Sequence, residues 1–228
     1  MHGLLVERLP GMLSRAMATS VPPARPGLLY RLAVAGKTRL RNFIRFRCRP
    51  AWLRMRLGLV RRGAGAQVQI GRRLSLGRGV RVYLLPGGEL EIGEGARLHD
   101  GVVLVIHQGA RLSIGRGVYV GPGGEIHARE RVEIGAGCLL AGQVTVIDHD
   151  HVFDLVSPVR EKEISASAVT IGEGCWLATR VVVARGATIG RHSVIGAGAV
   201  VTTEIPEGSV AGGVPARVVR SGPGNAAD

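Results

Sequence analysis

Aliphatic residues recur at every sixth position through residues 171–201, and this period restricts the folds open to the chain. They are Ile171, Leu177, Val183, Ile189, Ile195 and Val201. A period of six does not fit an α-helix, because the apolar position would move around the cylinder. An ordinary strand alternates with a period of two. The repeat therefore predicts a parallel β-helix in which each hexad forms one short strand and one corner.

Two further positions of each hexad carry compact residues. The residue after each aliphatic position is Gly, Ala or Thr, which we expect to let the backbone turn the corner. A second compact position begins at Cys175 and recurs every six residues, with Ile205 as its last member. Cys138 and Cys175 both occupy this second position, so we interpret them as buried core residues rather than as members of a disulfide framework.

The same period extends upstream in groups of three hexads. The first aliphatic residues of these groups are Ile70, Ile92, Ile114 and Ile134, separated by 22, 22 and 20 residues. The next group starts at Ile171, 37 residues later. The surplus predicts one excursion from the solenoid, residues 147–168, and a long loop on a rigid scaffold is usually functional.

The positive charge of the chain is concentrated in its first third. The formal net charge is +13, yet residues 1–73 carry sixteen Lys or Arg and a single acid, Glu7. We expect a flexible tail over residues 1–26 and a basic amphipathic helical segment over 27–65. Such a segment can lie on an anionic membrane or cap the end of the solenoid, and the two roles are compatible. Nucleic-acid binding is less favoured, since little aromatic interleaving accompanies the charge.

Three stretches resemble the hexapeptide-repeat acyltransferases, and in particular the galactoside, maltose and polysaccharide O-acetyltransferases. They are the hexad run from residue 171, VIDHDHVFD at residues 146–154 and AGGVPARVVR at residues 211–220. The resemblance covers roughly residues 70–220. It implies an all-β, left-handed parallel β-helix over 66–206, followed by a CoA-contacting extension and tail over 207–228. It also implies a homotrimer with sites between neighbours.

The resemblance implies transfer of an acetyl or similar short acyl group from acetyl-CoA to a sugar hydroxyl. Histidine suits the role of general base at neutral pH. Counted from Ile134, the family's catalytic position falls on His151, with His149 as the second candidate. Asp154 matches an Asp that often follows that histidine, and we expect His127, Asp148 and Asp154 to contact the acceptor.

The remaining predicted contacts are with acetyl-CoA, and they are carried over from the family by position. Trp176 and Thr179 match the acyl and pantetheine region. Ala197, Thr202 and Thr203 match corner positions along the pantetheine channel. Arg217 and Arg220 match basic residues that reach the CoA phosphates, for which arginine is well suited.

Other functions remain open at this stage. His107, His127 and the histidines of the excursion recur near one corner of successive groups, which is typical either of a groove that binds the acceptor or of a metal site. We predict no metal. An amine acceptor on an amino sugar, or a scaffold without catalysis, is the functional alternative. The acceptor expected is a cell-surface glycan or its precursor, met in the cytoplasm at the inner face of the membrane.

Overall fold

Three parallel sheets form the walls of a β-solenoid with six complete turns. In a computed structural model, the residues described are Ala51, Leu53, 65–153 and 163–222. Sheet A consists of β1 (Gln67–Ile70), β4 (Glu89–Ile92), β7 (Arg111–Ile114), β10 (Arg131–Ile134), β15 (Val169–Ile171) and β18 (Thr188–Ile189). Sheet B consists of β2 (Ser75–Leu76), β5 (Arg97–Leu98), β8 (Tyr119–Val120), β11 (Leu139–Leu140), β16 (Trp176–Leu177), β19 (Val194–Ile195), β21 (Val210–Gly212) and β22 (Arg217–Arg220). Sheet C consists of β3 (Arg81–Leu84), β6 (Val103–Ile106), β9 (Glu125–Ala128), β12 (Thr145–Ile147), β17 (Val182–Val183) and β20 (Val200–Val201).

The aliphatic repeat fills the inside of this prism. Ile70 lies in register with Ile92, and the column continues through Ile114 and Ile134 to Ile171. Equivalent columns run inside sheets B and C, and their members are almost fully buried. Cys138 and Cys175 are each 1% exposed, as the repeat predicted. The predicted all-β parallel β-helix is therefore confirmed.

The corners differ from the expectation in where the backbone bends. At the A–B and B–C corners, the left-handed backbone conformation falls on the third residue after each aliphatic position, not on the first; at the A–B corner of the fourth turn it falls on Gly137 (φ 68°). That place also accepts Arg73 and His192 in other turns. The first residue must be small for a different reason. A methyl group on Gly135 would press on the amide nitrogen of Glu173 and lie 2.6 Å from the carbonyl carbon of Gly172.

The corner between sheets C and A varies in length. Four residues separate sheet C from sheet A after β3, β6 and β17, but only two, Arg129 and Glu130, separate β9 from β10. This short corner accounts for the spacing of 20 residues in place of 22. After β12 the chain leaves the prism altogether and forms an antiparallel hairpin of β13 (His149–His151) and β14 (Ile164–Ala166) before it returns at β15.

The last turn departs from the six-residue count. Ile205 bridges to Ile189 and so continues the aliphatic column of sheet A, whereas the sequence placed it in the second compact column. Strand β21 then extends sheet B in parallel, and β22 folds back against it in the antiparallel direction. The antiparallel strand covers the edge that an open solenoid would otherwise leave.

The predicted tail over 1–26 and most of the basic segment over 27–65 lie outside the described residues. Ala51 and Leu53 have helical backbone, and Leu53 is 7% exposed within the same hydrophobic cluster as the solenoid core. This contact favours the capping role for that part of the segment. Within the part of the chain that the structure describes, no helix is both long and apolar enough to cross a membrane.

The two kinds of corner glycine should respond differently to a methyl group. Gly137→Ala places a side chain in open space and should cost only the left-handed conformation, about 1 kcal/mol. Gly135→Ala forces two turns of backbone apart and should cost about 3 kcal/mol or more in the free energy of unfolding. Guanidinium denaturation of the two variants measures both values. Equal losses would show that close stacking at Gly135 is not what requires glycine there.

Candidate active site

Asp148 occupies the space that the short C–A corner leaves open. It follows β12 directly and is 0% exposed. Its carboxylate accepts the backbone N–H of Arg129 (2.8 Å to Oδ1), of Glu130 (2.8 Å to Oδ2) and of Arg131 (2.9 Å to Oδ2). These donors satisfy a polar group that would be costly to bury alone. Asp148 therefore positions the corner, and the acceptor contact expected from the sequence stays a prediction.

The same carboxylate holds the first histidine of the excursion. Nδ1 of His149 lies 3.0 Å from Oδ1 of Asp148, and the side chain of His149 is only 12% exposed. Because a carboxylate oxygen accepts, Nδ1 of His149 donates, and in the neutral ring Nε2 is then the acceptor. A base oriented by a buried acid is the arrangement that general-base catalysis uses in many enzymes.

Two residues from earlier turns complete the surroundings of His149. The rings of His107 and His149 meet edge to face, with centroids 5.3 Å apart and planes at 78°. Nη1 of Arg129 lies 3.3 Å from Nδ1 of His107. Burial lowers the pKa of His107, and the charge of Arg129 lowers it further. The group thus joins three successive turns at one corner.

His127 lies beside this group on the outer face of sheet C, where it is paired with Val105 and Ile147 in the neighbouring strands. Its Nε2 is 3.8 Å from Oε2 of Glu125. Burial lowers the pKa of His127, and Glu125 opposes that shift. His127 remains partly exposed on this face.

The second histidine of the excursion, His151, is exposed and lies opposite Ile164 in the hairpin. Because side chains alternate along a strand, His149 and His151 point to one face of the hairpin and Asp150 to the other. There the carboxylate of Asp150 accepts from Nε of Arg185 at 2.9 Å, which ties the hairpin to the fifth turn. Asp154, predicted to contact the acceptor, lies outside the described residues.

The residues predicted to contact CoA lie at three different places. Trp176 projects from sheet B and is 49% exposed, and Arg217 and Arg220 lie exposed on β22 of the same sheet. The corner between sheets B and C holds Thr179 and Ala197. The C–A corner of the sixth turn holds Thr202 and Thr203, on the same edge of the prism as His149. Within one chain, therefore, only these two threonines share an edge with the candidate base.

Metal coordination would require several ligands to converge. Among residues 65–153 and 163–222, no three His, Cys, Asp or Glu side chains come together closely enough to hold a metal ion.

Sequence reasoning missed Arg129 and Arg185 as members of the site. Arg129 lies 15 residues after Ile114, as His107 does after Ile92 and His149 after Ile134. Counting every residue type at that distance, rather than histidines alone, would have found it. Arg185 carries no such signal, because its partner Asp150 lies in the hairpin, outside the repeat.

Comparisons with known proteins agree with this architecture. Residues 168–203 match the family model described as "Bacterial transferase hexapeptide (six repeats)". "Probable acetyltransferase Rv3034c" of Mycobacterium tuberculosis is 37% identical over 148 residues, which are 64% of this chain and 49% of that protein. The chain thus spans about half the length of this relative. "Putative lipopolysaccharide biosynthesis O-acetyl transferase WbbJ" of Escherichia coli K12 is 32% identical over 146 residues, 60% of this chain and 74% of that protein.

A solved structure supports the fold independently. AntD, an N-acyltransferase from Bacillus cereus in complex with dTDP and 3-hydroxybutyryl-CoA, aligns with a TM-score of 0.59 at 15% identity, over 74% of this chain and 88% of that one. Identity that low bears on the fold alone. The match to WbbJ extends over most of that relative. The chain belongs to the hexapeptide-repeat acyltransferase family.

Proposed function

We propose that the protein transfers an acetyl or similar short acyl group from acyl-CoA to a hydroxyl of a cell-surface glycan or its precursor. The observation that carries this proposal is the pair formed by the buried Asp148 and His149. A histidine held through Nδ1 by a fixed carboxylate presents Nε2 to an incoming hydroxyl. The names of the relatives, which include a lipopolysaccharide O-acetyl transferase, support the reaction class and the acceptor. The same fold accommodates 3-hydroxybutyryl-CoA in AntD, so an acyl-CoA donor is compatible with it.

In this proposal His149 acts as the general base. Nε2 takes the proton of the acceptor hydroxyl while its oxygen attacks the thioester carbonyl. The tetrahedral intermediate then loses the CoA sulfur, and the imidazolium returns the proton to that sulfur. Asp148 keeps the ring in the required tautomer and stabilises its charged form. His127 lies where it can contact the acceptor.

His151 is the second candidate for the base, because its distance from Ile134 matches the catalytic position of the family. It is exposed on the same face of the hairpin as His149. The geometry favours His149, since a buried partner orients that ring. An amine acceptor would use the same base, and a scaffold would use neither histidine.

Substitution of the two histidines distinguishes these roles. His149→Asn keeps a donor for Asp148 but removes the base, so it should lower kcat about 10²- to 10⁴-fold. His151→Asn is the matched change, and we expect a smaller loss. His192→Asn, at an exposed corner of the sixth turn, is the control. The measurement is thiol release from acetyl-CoA with a panel of glycan acceptors, with the product confirmed by mass.

Each pattern of results has a separate meaning. A large loss in His151→Asn alone would transfer the role of base to His151. Equal activity in all variants would remove a histidine base from the proposal. No thiol release and no acetyl-CoA binding by the unmodified protein would favour the scaffold.

We further propose that copies associate as a closed trimer with the active sites between them. The outer face of sheet B carries an uncharged, mainly apolar ladder in which neighbouring strands are in register. Its members are Tyr119, Leu139, Trp176, Val194 and Val210. At about 4.8 Å per strand the ladder is roughly 19 Å long. An exposed apolar surface of this kind is typical of an interface.

Leu139→Glu should disrupt this association, because it places a charge within the ladder. Leu139 is 44% exposed, and Tyr83, which is 50% exposed on sheet C, provides the matched control Tyr83→Glu. Sedimentation velocity should show a smaller species for Leu139→Glu only. Unchanged sedimentation of both variants would exclude sheet B as the interface.

The basic N-terminal segment supports a location at the inner face of a membrane. Arginine-rich segments bind anionic lipid by roughly 1 kcal/mol per charge near the surface. We expect cosedimentation with anionic vesicles that weakens with salt and falls when Arg54, Arg56, Arg61 and Arg62 are replaced by Gln. Zwitterionic vesicles are the control. Equal binding to both kinds of vesicle, or to neither, would contradict the proposal.

A further inference from the structure

Three residues stack at one edge of the prism in successive turns. His107, Arg129 and His149 each lie 15 residues after the last residue of a sheet A strand. The strand register supports this stacking: Ile106 pairs with Ala128, and these two residues come directly before His107 and Arg129. The candidate base is therefore the third member of a column, and the first two belong to the rigid solenoid.

The contact between Arg129 and His107 determines the tautomer of His107. A guanidinium has only donors, so Nδ1 of His107 must accept in the contact of 3.3 Å. An imidazole nitrogen accepts only when it carries no proton, which leaves the proton of the neutral ring on Nε2. The lowered pKa of His107, caused by burial and by the charge of Arg129, agrees with a neutral ring.

The ring of His107 in turn restricts the ring of His149. An edge-to-face contact with centroids at 5.3 Å lies within the range in which aromatic rings attract one another. Asp148 fixes His149 at Nδ1, but a single hydrogen bond leaves the imidazole free to tilt about it. The ring of His107 supplies the second point of contact that a defined orientation of Nε2 requires.

We propose that Arg129 and His107 are positioning residues for His149: Arg129 holds His107 as the Nε2–H tautomer, and the ring of His107 holds that of His149. This inference rests on the proposed function only for its kinetic consequence. The tautomer of His107 is a property of the folded protein and is measurable without any substrate.

The first test reads the tautomer directly. Long-range ¹H–¹⁵N correlation spectra of the full-length protein should show the Nε2–H form for His107. Arg129→Met keeps much of the aliphatic stem but removes the donors, so His107 should then populate both tautomers. Arg185→Met is the same change at a fifth-turn arginine, which contacts the opposite face of the hairpin through Asp150. It should leave the tautomer of His107 unaltered. The Nδ1–H form in the unmodified protein, or no change in Arg129→Met, would overturn the proposal.

The second test separates ring packing from hydrogen bonding to a substrate. His107→Ala should lower kcat about 10- to 100-fold, with little change in KM for acetyl-CoA, because the base is misplaced rather than lost. His107→Phe keeps an aromatic ring and should restore kcat to within about threefold. Equal losses in the two variants would show that His107 acts through a nitrogen atom, which contradicts the proposal. Absence of activity in the unmodified protein would instead contradict the proposed function, and the spectra would still decide the tautomer.

Discussion

The close stacking of one turn on the next, strand against strand in unbroken register, is the interaction on which the structure depends. It buries each aliphatic column and pairs the backbone along the walls. The hydrogen-bond ladder continues around the corners, as from Gly137 N to the carbonyl of Arg116 (2.8 Å) and from Gly174 N to that of Ala136 (2.8 Å). Because every turn contacts mainly its neighbours, an irregularity at one corner need not alter the next wall.

The candidate active site is built from such an irregularity. The short corner at Arg129 and Glu130 leaves backbone N–H groups that the turn of the usual length would arrange differently. Asp148 supplies their acceptor from a position that earlier turns fill with Ile106 and Ala128, both 0% exposed. Burial of a carboxylate is costly unless it is fully hydrogen bonded. The same bonds that meet this cost also fix the carboxylate that orients His149.

The sequence predicted the features that follow from the repeat and missed those that follow from side-chain direction at corners. The period of six predicted the fold and the burial of Cys138 and Cys175. It did not predict that Ile205 rejoins the column of sheet A. Ile205 follows Val201 by four residues, two fewer than the six-residue repeat requires. Nor did it show that Asp148 faces inward, since direction depends on corner length. Arg129 was overlooked because only histidines were compared between turns, although Arg129 occupies the same position of the repeat as His107 and His149.

The arrangement of the predicted donor contacts supports an active site shared between copies. In a prism with walls A, B and C, the C–A edge lies opposite wall B. His149 is on that edge, whereas Trp176, Arg217 and Arg220 belong to wall B. If these residues bind one acyl-CoA beside the base, no single chain can supply them all. The C–A edge of one copy must then face wall B of another. Such a contact joins two different surfaces of each copy. Every one of these surfaces is paired only when the copies close into a ring.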